Sequence, residues 1–234
     1  MPLPKMSVPT YELNLISNNK NIEYRPFLVK EEKLLLMALE TKDKKEIIKG
    51  VYSVLQNCII NEDVNIEELP SFDVEYLFLK IREKSLGEKI EVVVRCPDTK
   101  KTFPVDVNLL DVKVEKPKDL SNKIEITNKM GIILKYPSFK TIQESYDKNN
   151  SDKIFDILLE CIDKIYDENT SYTCKEYSKK ELQEFVESLP QNIFIKLAQF
   201  FENFPQLVYE NNVTSPFTGN PVKVRLDSFI DFFD

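Results

Sequence analysis

One stretch constrains the fold more than any other: Tyr24-Arg25-Pro26-Phe27-Leu28-Val29-Lys30-Glu31-Glu32-Lys33-Leu34-Leu35-Leu36-Met37-Ala38-Leu39-Glu40. Pro26 has no amide donor and biases Arg25 away from the helical region, so the segment begins extended. From about Lys30 the pattern predicts a helix, with Glu31 and Glu32 in the first turn, where the helix dipole favours acids. Leu34 through Leu39 leave that helix hardly any polar face. A helix apolar nearly all round is expected to be buried, so the chain must supply a core able to enclose it. Its 234 residues are 42% hydrophobic, with 15 Phe and 10 Tyr, which suffices for one large domain or two small ones.

Composition narrows the function classes. Histidine is absent, which excludes Ser-His and Cys-His nucleophile pairs. Four glycines provide no phosphate-cradling loop. A net charge of −7 argues against a protein that wraps nucleic acid, and Lys44-Lys45 and Lys100-Lys101 are too short to form basic patches. Carboxylates are plentiful, yet no pair stands out as general acid and base. Asp227, Asp231 and Asp234 share a helical face that reads as solvated. Cys58, Cys96, Cys161 and Cys174 fit no disulfide framework, which points to a reducing compartment, and Cys58 and Cys161 read as small core residues. Met1-Pro2-Leu3-Pro4-Lys5 lacks the apolar run of a signal peptide, and no stretch approaches the roughly 18 apolar residues of a membrane span. A cytoplasmic site of synthesis and work is expected.

Periodicity predicts an α+β chain. Tyr11, Leu13 and Leu15 alternate, Ser17 to Asn21 turn, and Ile22 and Tyr24 return, giving an N-terminal hairpin. Asp43-Lys44-Lys45-Glu46 starts a second helix along Ile47, Val51, Leu55 and Cys58, and Ser71 starts a third that ends at Gly87. Ile90 to Val94 and Phe103 to Leu109 form a small antiparallel sheet. Ile124 and Ile126 continue through a turn at Met130-Gly131 into Ile132 and Leu134. Glu115-Lys116-Pro117-Lys118-Asp119 reads as a charged joint. After Tyr136-Pro137 the pattern is helical. One helix follows Ser138. A stronger one carries Ile154, Ile157, Leu158, Cys161, Ile162 and Ile165. A third opens at the capping box Ser178-Lys179-Lys180-Glu181, and a last one runs from Pro190 towards Pro205. A C-terminal hairpin and a short helix from Asp227 close the chain. The expected division is an N-terminal α+β domain over 1–136 and a mainly helical domain over 137–234 closed by the C-terminal hairpin, with one continuous domain as the alternative.

Two turns repeat. Cys96-Pro97-x-Thr99 leads to Pro104-Val105-x-Val107-x-Leu109, and Ser215-Pro216-x-Thr218-Gly219 leads to Pro221-Val222-x-Val224-x-Leu226. Each has the outline of a Cys-Pro-x-Cys-Gly zinc knuckle. Tetrahedral zinc needs four Cys or His ligands, and Cys96 is the single thiol across both turns, so no metal and no other cofactor is expected. Asp167-x-Asn169-x-Ser171-x-Thr173 has the spacing of a calcium loop. Tyr172 occupies the sixth position, where Gly is needed, and Ser178 the twelfth, where a bidentate Glu is needed. Candidate partner-binding residues lie at the ends: Pro2, Pro4 and Pro9 in an extended arm, and Phe229, Phe232 and Phe233 in an aromatic tail. The arm reads as disordered or as a tether on a neighbouring subunit; the tail closes the protein's own core or inserts into a partner.

Several segments, in order, resemble the T4-like phage baseplate hub family. They are Tyr11-Glu12-Leu13, Tyr24 to Ala38, Leu69-Pro70-Ser71-Phe72-Asp73-Val74-Glu75-Tyr76-Leu77-Phe78-Leu79, Leu207-Val208-Tyr209 running into the second knuckle, and Phe232-Phe233. The resemblance implies a structural or assembly role in the central hub of a contractile tail's baseplate. It implies contacts with other baseplate or hub proteins, no catalysis, no small-molecule substrate and no membrane. Its location would be the host cytoplasm during assembly and the virion tail if the protein is retained. Family members sometimes keep more Cys in the knuckles, and this chain does not. Two readings compete: a transient assembly chaperone absent from the virion, and a nucleic-acid-binding module built on degenerate knuckles. A carboxylate enzyme using a divalent metal ranks behind them.

Overall fold

A computed structural model describes residues 7–116, 121–145 and 150–227. In chain order the first elements are β1 (Tyr11–Asn14), β2 (Asn21–Tyr24), α1 (Val29–Glu40), α2 (Lys44–Cys58), α3 (Ser71–Leu86), β3 (Lys89–Arg95), β4 (Thr102–Asn108) and β5 (Lys113–Glu115). There follow β6 (Lys123–Thr127), β7 (Met130–Leu134), α4 (Phe139–Ser145), α5 (Asn150–Cys161), β8 (Ile162–Tyr166) and β9 (Ser171–Thr173). Last come α6 (Lys179–Glu187), α7 (Gln191–Glu202), β10 (Gln206–Thr214) and β11 (Pro221–Leu226). The architecture is α+β, as the periodicity predicts. The chain groups into two compact units, each assembled from separate stretches. One comprises Met1–Ile66, Phe72–Glu115 and Gln206–Asp234; the other comprises Glu67–Ser71 and Lys116–Pro205.

In the first unit β1 and β2 form the expected hairpin, with Leu13 opposite Ile22. Asp73 of α3 fastens the hairpin's turn, accepting the Ile16 and Ser17 amides at 2.7 and 3.2 Å. The extended segment before α1 is stitched on both sides. The Arg25 amide donates to the Cys58 carbonyl at 2.9 Å, and the Phe27 amide to Ser85 Oγ at 2.9 Å. Residues 25–27 are therefore held as a strand-like strap, as Pro26 requires.

α1 is not enclosed. Only Glu31 and Leu35 of its residues are buried, while Val29 is 80%, Leu36 55% and Met37 56% exposed. The helix meets α2 along one side, where Gly50 admits Ala38 so closely that an added Cβ would lie 2.8 Å from the Ala38 Cβ. Its apolar residues outnumber what one packed face can take.

One core cluster of this unit lies between two hairpins. β3 pairs with β4, and β10 lies between β11 and β5 in a three-stranded antiparallel sheet. Alternation turns Ile90 and Val92, Phe103, Val105 and Val107, Leu207 and Tyr209, and Val222, Val224 and Leu226 into one cluster. β5 was not legible as a strand, because its pairing (Val114 opposite Leu207) lies far along the chain. It occupies the start of the expected joint, whose residues 117–120 fall outside the described set.

The second unit is a four-stranded antiparallel sheet, β6-β7-β8-β9, packed with residues of α5, α6 and α7. Ile162 and Ile165 were expected to prolong a helix, but α5 ends at Cys161 and both residues lie in β8. Apolar residues three apart fit either element over so short a run. Here ladders with β7 on one side and β9 on the other decide the matter. The expected turn at Met130-Gly131 sits instead at Asn128-Lys129. Gly131 is inside β7, opposite Tyr166, where a Cβ would fall within the Tyr166 side chain and 2.6 Å from the Ile124 carbonyl. The capping box at Ser178 forms as read: its Oγ accepts the Glu181 amide at 3.3 Å and Glu181 accepts the Ser178 amide at 2.8 Å.

Candidate partner-binding surface and the paired turns

Of the residues singled out at the ends, Pro9 is exposed in the irregular segment before β1. Pro2, Pro4, Phe229, Phe232 and Phe233 lie outside the described residues, as does the expected terminal helix.

The surface that reasoning from sequence missed is the outer side of α1. The helix begins at Leu28, whose apolar side chain cannot cap it. Glu31 supplies the missing function, accepting the Leu28 amide at 2.8 Å and Arg25 Nη2 at 2.9 Å. Burial alone pushes the Glu31 carboxyl up, but the bonds from Arg25, the Leu28 amide and Lys30 hold it below the ordinary range. With its start fixed this way, α1 presents Val29, Lys33, Leu36 and Met37 at helical spacing on one side, flanked by exposed Leu28 and Leu34. Among the described residues, the other exposed large hydrophobics are spread along the chain: Ile60, Leu86, Val93, Leu110, Tyr177, Ile195 and Phe217. Scattered residues are ordinary; a contiguous stripe marks a contact surface.

The two knuckle-like turns are brought together. Cys96 Sγ and Ser215 Oγ are 3.4 Å apart and both residues are buried. Asp98 reaches across, accepting from Asn220 Nδ2 at 3.1 Å and Thr218 Oγ1 at 3.5 Å. Phe217 stacks edge-on against Phe103, centroids 6.0 Å apart, and Lys101 lies over the Phe217 ring at 5.5 Å. The bonds from Ser215 and Thr99, with the Thr99 and Asp98 amides, bring the Cys96 thiol down to about 7. Burial instead pushes Cys58 up to about 11 and Cys161 to about 12, as expected of core thiols. The donor set does not suit zinc, which is bound by thiolate, imidazole or carboxylate; hydroxyls are protonated and weak.

The calcium-like segment is a β-turn between β8 and β9. Asp167 accepts the Asn169 and Thr170 amides at 2.8 and 2.9 Å and the Tyr172 hydroxyl at 2.8 Å, so its oxygens serve the turn. A cleft of about 590 Å³ in the second unit is lined by charges of both signs, including Lys135, Lys175, Glu68 and Glu160. Thr141 Oγ1 donates to Glu160 at 2.7 Å and Lys175 pairs with Glu68 at 3.6 Å, so charges of both signs find partners along this wall. Among the described residues no three acidic or Cys side chains gather to hold a metal, and no helix is long and apolar enough to cross a membrane.

The chain matches the family described as T4 bacteriophage base plate protein over residues 8–234, nearly its whole length, and it belongs to that family. It is thus a phage baseplate protein, and its neighbours are other baseplate proteins. No curated protein and no solved structure matches the chain.

Proposed function

We propose that the chain is a structural or assembly component of the central hub of a contractile tail's baseplate, and that α1 is where another baseplate polypeptide docks. The observation that carries this reading is the exposed stripe of Val29, Leu36 and Met37 on a helix whose other side meets α2 at Ala38 and Gly50. Burying such side chains contributes roughly 1.5–3 kcal/mol each, so a few suffice to anchor a contact. Lys33, exposed within the stripe, suits a partner segment that is apolar and acidic. Family membership supports baseplate neighbours; the hub and the contractile tail come from the resemblance of the segments named above.

Quantitative mass spectrometry of purified particles of the parent phage tests the proposal. A fixed ratio to a known hub protein supports a structural subunit. Recovery only from infected-cell lysate, bound to hub components, supports an assembly factor that leaves before maturation. Absence from both overturns the hub reading.

A further inference from the structure

We infer that the two turns are a knuckle pair joined by hydrogen bonds where a zinc knuckle pair is joined by an ion, with Cys96, Thr99, Ser215 and Thr218 at the four ligand positions. The two turns share one hairpin frame, which the Leu15–Lys20 turn also uses, so the frame aligns their positions and the side chains carry the inference. The Cys96 amide donates to the Lys101 carbonyl at 2.9 Å and the Lys100 amide returns to Cys96 at 2.9 Å. In the second turn the Ser215 amide donates to Asn220 at 2.9 Å and the Gly219 amide returns to Ser215 at 2.9 Å. Each frame needs a left-handed residue at its fifth position, and Lys100 (φ 61°) and Gly219 (φ 74°) provide it. First positions therefore correspond (Cys96 with Ser215), as do fourth positions (Thr99 with Thr218).

The first positions also converge, although 119 residues apart. Two sulfurs on a tetrahedral zinc with bonds of about 2.3 Å stand about 3.8 Å apart. The Cys96–Ser215 distance of 3.4 Å is shorter, a direct hydrogen bond between thiol and hydroxyl. Thr99 completes the shell of Cys96 from its own turn, and Asp98 ties Thr218 and Asn220 from the opposite one. The Cys96–Ser215 bond joins two of the four positions directly, and the Asp98 bonds tie the turns beside them. The apolar cluster of Val92, Phe103, Val105, Val222 and Val224, shared by the two hairpins, supplies the cohesion that small metal domains take from their ion.

The test uses the full chain, purified under reducing conditions, as wild type and as the triple variant Thr99→Cys, Ser215→Cys, Thr218→Cys. The wild type is expected to carry well under one zinc per chain and to melt at the same temperature with or without chelator. The triple variant is expected to bind about one zinc per chain, to give a tetrahedral thiolate spectrum with cobalt, and to melt lower once chelated. A triple variant that binds no more metal than the wild type would show that the four positions do not converge. Stoichiometric zinc in the wild type, lost together with stability, would overturn the inference from the other side. The single variant Ser215→Cys guards against misfolding of the triple. Under mild oxidation it is expected to close a disulfide with Cys96, read as the loss of two hydrogens in intact mass, and failure to close it counts against the contact.

Discussion

Gly131 is fixed by its neighbours more than by its own flexibility. The Tyr166 side chain lies over it and the Ile124 carbonyl lies behind, so Gly131→Ala must move a paired strand. We expect a loss of about 2–4 kcal/mol in urea unfolding; a loss below about 0.5 kcal/mol would show that the Tyr166 ring swings aside freely. Gly50→Ala runs against helix propensity, which alone favours Ala by about 1 kcal/mol. The clash with Ala38 should reverse that sign, and Ala38→Gly in the same chain should restore it, which a double-mutant cycle measures. Two carboxyls carry opposite pH signatures. Burial pushes half-buried Glu75 up to about 7, above its unfolded value. Its folded form keeps a proton that the unfolded chain releases first, so stability falls as pH rises from about 4.5 to about 7. Replacing it, Glu75→Gln, should flatten that part of the melting-temperature profile. Glu31 is held low, so its contribution is present above the unfolded carboxylate range and is lost as pH falls through its folded value.

At the scale of elements, α1 separates packing from docking. Leu36→Lys with Met37→Glu alters only exposed positions, so the melting temperature should hold while recovery with baseplate partners falls. A matching drop in melting temperature would place the stripe in the protein's own core instead. The same helix shows how far sequence can be read. Leu34 to Leu39 establish a helix and its apolarity, but a side chain buried by a partner and one buried by its own domain look alike in one chain. The paired turns were legible, because Pro, Thr and a left-handed residue are local requirements. β8 was legible as apolar but not as a strand, since Ile162 and Ile165 suit either period and the deciding ladders are non-local. β5 is three residues long and defined by β10, and no local pattern announces such a strand. Glu31 was assigned to the helix dipole; that it would be buried and bonded to Arg25 depends on the strap folding back.

The whole molecule interleaves its two units. The first takes β10 and β11 from beyond the second, and those strands share a core with β3 and β4 and a sheet with β5. A fragment ending at residue 136 should therefore leave the inner faces of β3 and β4 uncovered and show no cooperative melting by calorimetry. A sharp transition would mean that α1 to α3 and the first hairpins suffice on their own. The interleaving also sets a clock. A ribosome that has finished β5 must still polymerise residues 116–205 before β10 emerges, roughly 5–18 s at ordinary elongation rates. For that interval the first knuckle turn has no second turn to meet, and the growing chain carries an open apolar sheet face. Any factor that guards nascent chains finds its opportunity there, and a cell that translates this message faster shortens the exposure without changing a single contact in the finished fold.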